Sequence, residues 1–388
     1  MEASTSASFG RVRRYAEKRL SSMHPAYFAM SMATGIVSIA SSSLGLREMS
    51  VLLFWINLAA YGAVWIAMIA RAILFRKAFL SDWTSHQRAP GFFTSVAATC
   101  VLGTQFVLLR GAPTIGFGLW ILGLLLWVIC TYTIFIALSI REDKPSLGDG
   151  INGGWLIAVV ATQSICVLGC SVLPDRLGNR DAALFFLTCF WLCGGMIYTW
   201  LISLIFYRYT FFRFSPKDLM PPYWVNMGAV AISTLAGTAL LSAAGDSPLM
   251  ASLRPFVKGF TLLYWATATW WIPMLLGLGL WRHAVKRVAF AYDPLYWGLV
   301  FPFGMYCVCT HRLVQVFELP FLDWISRGFV VIALIAWMFT FFGLVTRFLY
   351  MILLFVRDSA HPPVAHAGAR FTALERAGSN QSSGGGQP

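Results

Sequence analysis

Ten stretches of apolar residues, each about as long as a lipid bilayer is thick, follow one another along this chain with short charged breaks between them. They lie near residues 24–45, 50–75, 90–110, 114–140, 150–173, 182–207, 222–243, 256–281, 294–314 and 325–350. A helix of ~20 residues crosses the ~30 Å hydrocarbon layer, so each run is long enough to span it. A water-soluble fold is excluded on composition: 58% of the 388 residues are hydrophobic and 12% charged, too few charges to cover a soluble surface. The expected fold class is an all-α integral membrane protein of ten transmembrane helices, joined by short loops into five antiparallel hairpins.

Residues 24–350 read as one membrane domain, between a basic segment over 1–23 and a tail over 351–388. The first segment carries Arg11, Arg13, Arg14, Lys18 and Arg19 with no apolar core, which excludes a cleavable signal peptide. Within it, Phe9–Leu20 reads equally as an amphipathic helix on the inner leaflet or as a solvated tail. Neither end has a lipidation motif, and from Asp358 onward the tail is expected to be disordered. Of the 29 lysines and arginines, 21 fall on the side of the termini and 8 on the other. Cationic loops stay in the cytoplasm, so both termini are expected there, as an even number of helices requires. Headgroup contact then accounts for the net charge of +13 without a nucleic-acid partner. All 8 cysteines sit inside apolar runs, as packing residues rather than a disulfide framework, and the 6 histidines have no metal-ligand spacing. No metal and no cofactor is expected.

Odd and even runs differ in chemistry. Ser, Thr, Asn and Gln number 22 in the odd runs and 15 in the longer even ones. Tryptophan goes the other way, with 11 in the even runs and only Trp155, Trp224 and Trp297 in the odd ones. Bulky aromatics suit lipid and the headgroup belt, while small polar residues suit close packing or a wetted interior. The segregation predicts an inner ring of five odd helices around a central pore, wrapped by five even ones. Thr34, Gly35, Thr99, Thr104, Gln163, Ser164, Ser233 and Thr234 are the candidate pore-lining residues. The ninth run has Thr310 alone among Ser, Thr, Asn and Gln, but carries Phe301-Pro302 in mid-span, where proline is expected to kink the helix. At the far end of this run His311 and Arg312 stand where they can collect anions, or where Arg312 can snorkel to headgroups. No Asp, Glu, Lys or Arg lies near the middle of any run. Proton- or sodium-coupled carriers usually keep a carboxylate there, so passive flow is favoured.

Four motifs occur in order: His24-Pro-Ala-Tyr-Phe-Ala-Met-Ser-Met-Ala-Thr-Gly-Ile36, Asn152-Gly-Gly-Trp155 with Ala161-Thr-Gln-Ser164, Pro221-Pro-Tyr-Trp-Val-Asn-Met-Gly228, and Trp297 followed by Val300-Phe-Pro-Phe303. On these the chain resembles the tellurite-resistance/dicarboxylate transporter family, which includes slow-type anion channels, malate permeases and sulfite efflux pumps. The resemblance implies five hairpins around a pore, assembly as a homotrimer, and a pore-occluding phenylalanine that falls on Phe301. Channel members kink several inner helices with mid-span prolines; here only the ninth run does so, since Pro25, Pro90, Pro221 and Pro222 stand at helix starts. The expected function is passage of a small anion such as malate, another C4-dicarboxylate, sulfite or a tellurite-like oxyanion across the plasma membrane. A proton-coupled dicarboxylate symporter is the alternative within transport. An intramembrane redox protein or enzyme finds no nucleophile, base and orienting group at workable spacing.

Overall fold

The computed structural model describes residues 17–360 apart from Leu177, Lys217 and residues 290–292. Residues 1–16 and 361–388, which hold most of the basic segment and most of the expected tail, lie outside the described residues. The chain divides into two compact units. One falls within Met1–Arg19 and Val345–Pro388, and its described part is helical. The other, Leu20–Leu344, holds the helices described next, apart from the final residues of the last one.

Among the described residues there are ten long helices and no strand. They are α1 (Ala29–Ser43), α2 (Arg47–Leu74), α3 (Phe93–Arg110), α4 (Pro113–Ile140), α5 (Ile157–Val172), α6 (Arg180–Phe211), α7 (Val225–Ala243), α8 (Pro248–Leu280), α9 (Trp297–Phe317) and α10 (Asp323–Ala360). Eight are long and apolar enough to cross a membrane. The two that fall short, α1 and α8, are diluted by serines in the first and by Thr267, Thr269 and paired tryptophans in the second. Boundaries follow caps rather than hydropathy. The eighth apolar run begins near residue 256, just past Arg254, yet α8 starts at Pro248, where the Ser247 side chain accepts from the Met250 N–H. Likewise α10 continues to Ala360, ten residues into what the sequence reads as tail.

The odd helices form the interior. Between 61% and 89% of the apolar windows of α3, α5, α7 and α9 is buried, against 22–44% for α2, α4, α6 and α10. Each odd helix packs on the next, and α9 returns to α1, so the ring closes. A short 3-10 turn leads into each of them: Pro25–Phe28, Ala89–Phe92, Gly153–Leu156, Pro221–Trp224 and Pro294–Tyr296. Four carry proline in their first two residues, where its missing N–H costs nothing. The fifth begins at Gly153, capped by the Asn152 side chain, which accepts from Gly154 N–H at 2.8 Å. A Cβ on Gly153 would stand 2.6 Å from the Pro222 carbonyl, so the glycine is what lets these backbones meet. The five turns touch in sequence and the last touches the first.

Tryptophans on the even helices fasten the two layers. Trp127 donates to Thr162 at 2.8 Å, Trp265 to Thr310 at 3.0 Å and Trp337 to Thr34 at 3.0 Å. Trp120 and Trp191 donate to the carbonyls of Ile165 and Ser233. Trp55, Trp200 and Trp270 stay outward, each more than half exposed. The aromatic belt expected from the sequence thus accounts for only part of the tryptophans, because indole also carries a donor that a buried site must satisfy.

Below the turns, Asp82 is buried between Arg71 at 2.7 Å and Arg88 at 2.6 Å. The two arginines also donate to the carbonyls of Ser21 and Met23, tying down the chain before α1. The His24 Nδ1 accepts from the Ala26 N–H at 3.1 Å, capping the first turn.

Candidate functional site

A cavity of about 240 Å³ lies among the five odd helices, toward the ends away from the 3-10 turns. Every helix of the ring contributes: Ser43 from α1, Thr104 from α3, Ser164 from α5, Thr238 from α7 and Arg312 from α9. The deep end is mostly apolar, formed by Ile36, Val101, Ile232 and Met305, with Ser164 of α5 at the same level. Among the described residues Arg312 is the one charged side chain in the lining. Its guanidinium donates to Gln315 Oε1 at 3.2 Å. Gln315 Nε2 also donates to His311 Nε2 at 2.9 Å, so the amide links the guanidinium to an imidazole nitrogen that accepts.

The hydroxyls facing the cavity are engaged but not locked. Thr104 donates to the Cys100 carbonyl at 2.9 Å, Ser164 to Val160 at 2.7 Å and Ser43 to Ile39 at 2.9 Å, each one turn back along its own helix. Turning such an O–H toward a solute exchanges one hydrogen bond for another, at a net difference of about 1 kcal/mol. The walls can therefore serve a polar guest weakly and reversibly.

Phe301 stands one turn of α9 from Met305, on the turn side, and is 0% exposed. Pro302 follows it inside the helix and cannot donate to the Gly298 carbonyl. Both pack against Gly228 of α7: a Cβ there would come within 2.9 Å of Pro302 Cγ and 3.4 Å of Phe301 Cε1. Small size at Gly228 is thus what admits the phenyl ring and the proline side by side.

The structure brings only some of the sequence candidates together. Thr104, Ser164 and Arg312 line the cavity. Thr34 faces outward and accepts from Trp337, while Thr99 meets the Tyr61 hydroxyl at 2.8 Å. Gln163 donates to the Trp191 carbonyl of α6 at 3.0 Å. Ser233 and Thr234 are buried with their hydroxyls on the carbonyls of Ala229 and Val230. Gly35 gives room to a buried amide pair, Asn57 Nδ2 on Gln105 Oε1 at 2.6 Å. His311 borders the cavity without lining it. Thr238, Ser242 and Ser171 also line it, although none of them stands out in the sequence. Their signal is the four- and seven-residue spacing that places Thr238 with Ser242, and Ser164 with Ser171, on one helix face. No group of three or more His, Cys, Asp or Glu side chains among the described residues has the spacing of a metal site.

Comparison with known proteins bears on what such a cavity is for. Residues 22–345 match the family model described as voltage-dependent anion channel. The chain is 26% identical to an uncharacterized transporter of Methanocaldococcus jannaschii over 331 residues, which cover 82% of this chain and 91% of the relative. It is 24% identical to a sulfite efflux pump of Arthroderma benhamiae over 349 residues, 83% of this chain and 90% of that one. An uncharacterized membrane protein of Mycobacterium tuberculosis is 39% identical over 139 residues, 36% of this chain and 70% of the relative. The matched span runs from before the first 3-10 turn to the middle of α10 and takes in every wall of the cavity: the chain is a multi-pass membrane protein and belongs to the voltage-dependent anion channel family.

Proposed function

We propose that this protein passes small anions through the axis of the odd-helix ring, with Phe301 as the gate between the cavity and the 3-10 turns. The observation that carries the reading is the cavity itself: all five odd helices wall it, it ends one turn short of a buried phenylalanine, and its single charge is cationic. The odd helices share one direction, so their positive N-terminal dipole ends gather at the turns and favour anions there. Weak hydroxyl contacts and a lining free of carboxylates among the described residues suit uncoupled, channel-like or facilitated flow. All ten helices cross the plasma membrane in this reading, α1 and α8 included. The 21-to-8 split of basic residues sets both termini and the turns on the cytoplasmic side. The membrane domain is 24–350, and the working assembly is a homotrimer, as the family resemblance implies. Substrates are sulfite, malate or a related C4-dicarboxylate, or a tellurite-like oxyanion; the fungal sulfite pump relatives put sulfite first.

The test is flux in proteoliposomes loaded with labelled sulfite or malate. Phe301→Ala should raise flux several-fold. Truncating a buried phenylalanine costs about 3–5 kcal/mol, so the milder Phe301→Leu belongs beside it and should give an intermediate rate. Unchanged or lower flux in both folded variants would refute the gate.

A further inference from the structure

A second cavity, about 440 Å³, opens on the flank of the bundle between the end of α8, the 3-10 turn that precedes α7 and the start of α9. Pro221, Leu275, Leu276, Leu280 and Leu299 make its walls, and Leu276 and Leu280 are more than half exposed. One end is different. There α8 passes into a π-helical turn, Trp281–Val285, which brings Arg282 and His283 to the rim beside Tyr296. Arg282 donates to the Leu219 carbonyl, which fixes the guanidinium in place. Its Nε is shut off from solvent and has no hydrogen-bond partner among the described residues. His283 Nδ1 lies 2.8 Å from the Val288 carbonyl, holding the turn closed, and the exposed Lys286 and Arg287 follow at once. Among the described residues, none in the lining is acidic.

An apolar slot ending in a cationic rim has the pattern of one molecule: an acyl chain attached to a phosphate. We propose that this pocket seats an anionic phospholipid, its chain along Leu276, Leu280 and Leu299 and its phosphate on Arg282, with Lys286 adding charge at the rim. The occupant is a lipid rather than a free anion because the walls behind the cation are apolar and reach lipid-facing leucines of α8. Its place also gives it leverage. Tyr296 ends the 3-10 turn that leads into α9, Leu299 lies in the first turn of α9, and Trp224 in the same lining packs edge-on against Phe303 at 4.8 Å. A seated lipid braces the segment just before Phe301.

The experiment is thermal unfolding of the purified full-length protein in detergent with added dioleoyl phosphatidylglycerol, dioleoyl phosphatidylcholine or inorganic phosphate. Phosphatidylglycerol should raise the midpoint by several degrees more than phosphatidylcholine, and inorganic phosphate should leave it unchanged. Arg282→Gln should abolish the difference. Since Arg282 also holds Leu219, Gly279→Leu is the second variant: Gly279 lines the pocket and a Cβ there meets open space, so the leucine fills the slot without a clash. It too should lose the difference. Equal shifts with both lipids in the unaltered protein would reduce the pocket to an ordinary annular position and overturn the proposal. So would a matching effect of inorganic phosphate, a phosphatidylglycerol response retained in a folded Gly279→Leu variant, or a change of oligomeric mass showing that a second copy fills the slot.

Discussion

Arg312 enters the cavity from α9 with a neutral amide for its hydrogen-bond partner, so its charge is directed at whatever occupies the space. A lone cation in a low-dielectric recess raises the local concentration of anions, and salt screens that effect within ~10 Å at 0.1 M. Arg312→Gln should therefore lower anion flux about tenfold at low ionic strength, with the gap closing as salt rises. A salt-independent loss would mean that Arg312 acts through packing instead. Residues of this kind are legible in the sequence, where a charge next to an apolar run and a proline in mid-helix stand out on chemistry alone. The orientation of Thr34 and Thr99 is not. A threonine on a ring helix can face the axis or the outer layer, and its identity does not say which. The choice is made by Trp337 and Tyr61, which are remote in sequence.

Helices and their layering follow from physics that a sequence displays openly, since length and apolarity mark a span and small polar residues mark the inner ones. What stays hidden is the phase of each helix. The tryptophans supply it. An indole N–H buried at a helix interface needs an acceptor, and here acceptors on the ring helices fix how the outer helices rotate. Interhelical hydrogen bonds of this type in membranes average ~0.6 kcal/mol and reach ~1.7. Trp337→Phe keeps most of the packing and removes only the donor to Thr34, so its cost should fall within that range. Thermal unfolding in detergent should show a small drop in midpoint, and Thr34→Val should add little to it. Additive losses would show that the bond does not couple α10 to α1.

The whole bundle repeats one plan five times: a 3-10 turn, an inner helix, a short loop and an outer helix. The repetition closes one end with turns in mutual contact and leaves the other end hollow. Accessibility should be correspondingly one-sided. With the native cysteines replaced, Ser164→Cys in oriented vesicles should react with a charged methanethiosulfonate added on the Arg312 side and resist the same reagent on the other. Equal reaction from both sides would rule out the closed ring of turns. The sequence could not foretell this asymmetry, because Gly153 and the proline-led turns read only as helix starts until their backbones are seen to meet.

A hollow blind at its inner end separates two quantities that transport assays tend to merge. Solute can fill such an antechamber to equilibrium with its own side and register as bound by calorimetry, while nothing crosses. Affinity measured on the resting protein then reports the antechamber's walls, Thr104, Ser164 and Arg312 among them, and turnover reports the partition behind Met305. Substitutions on the two sides of that partition should sort cleanly between the two readouts.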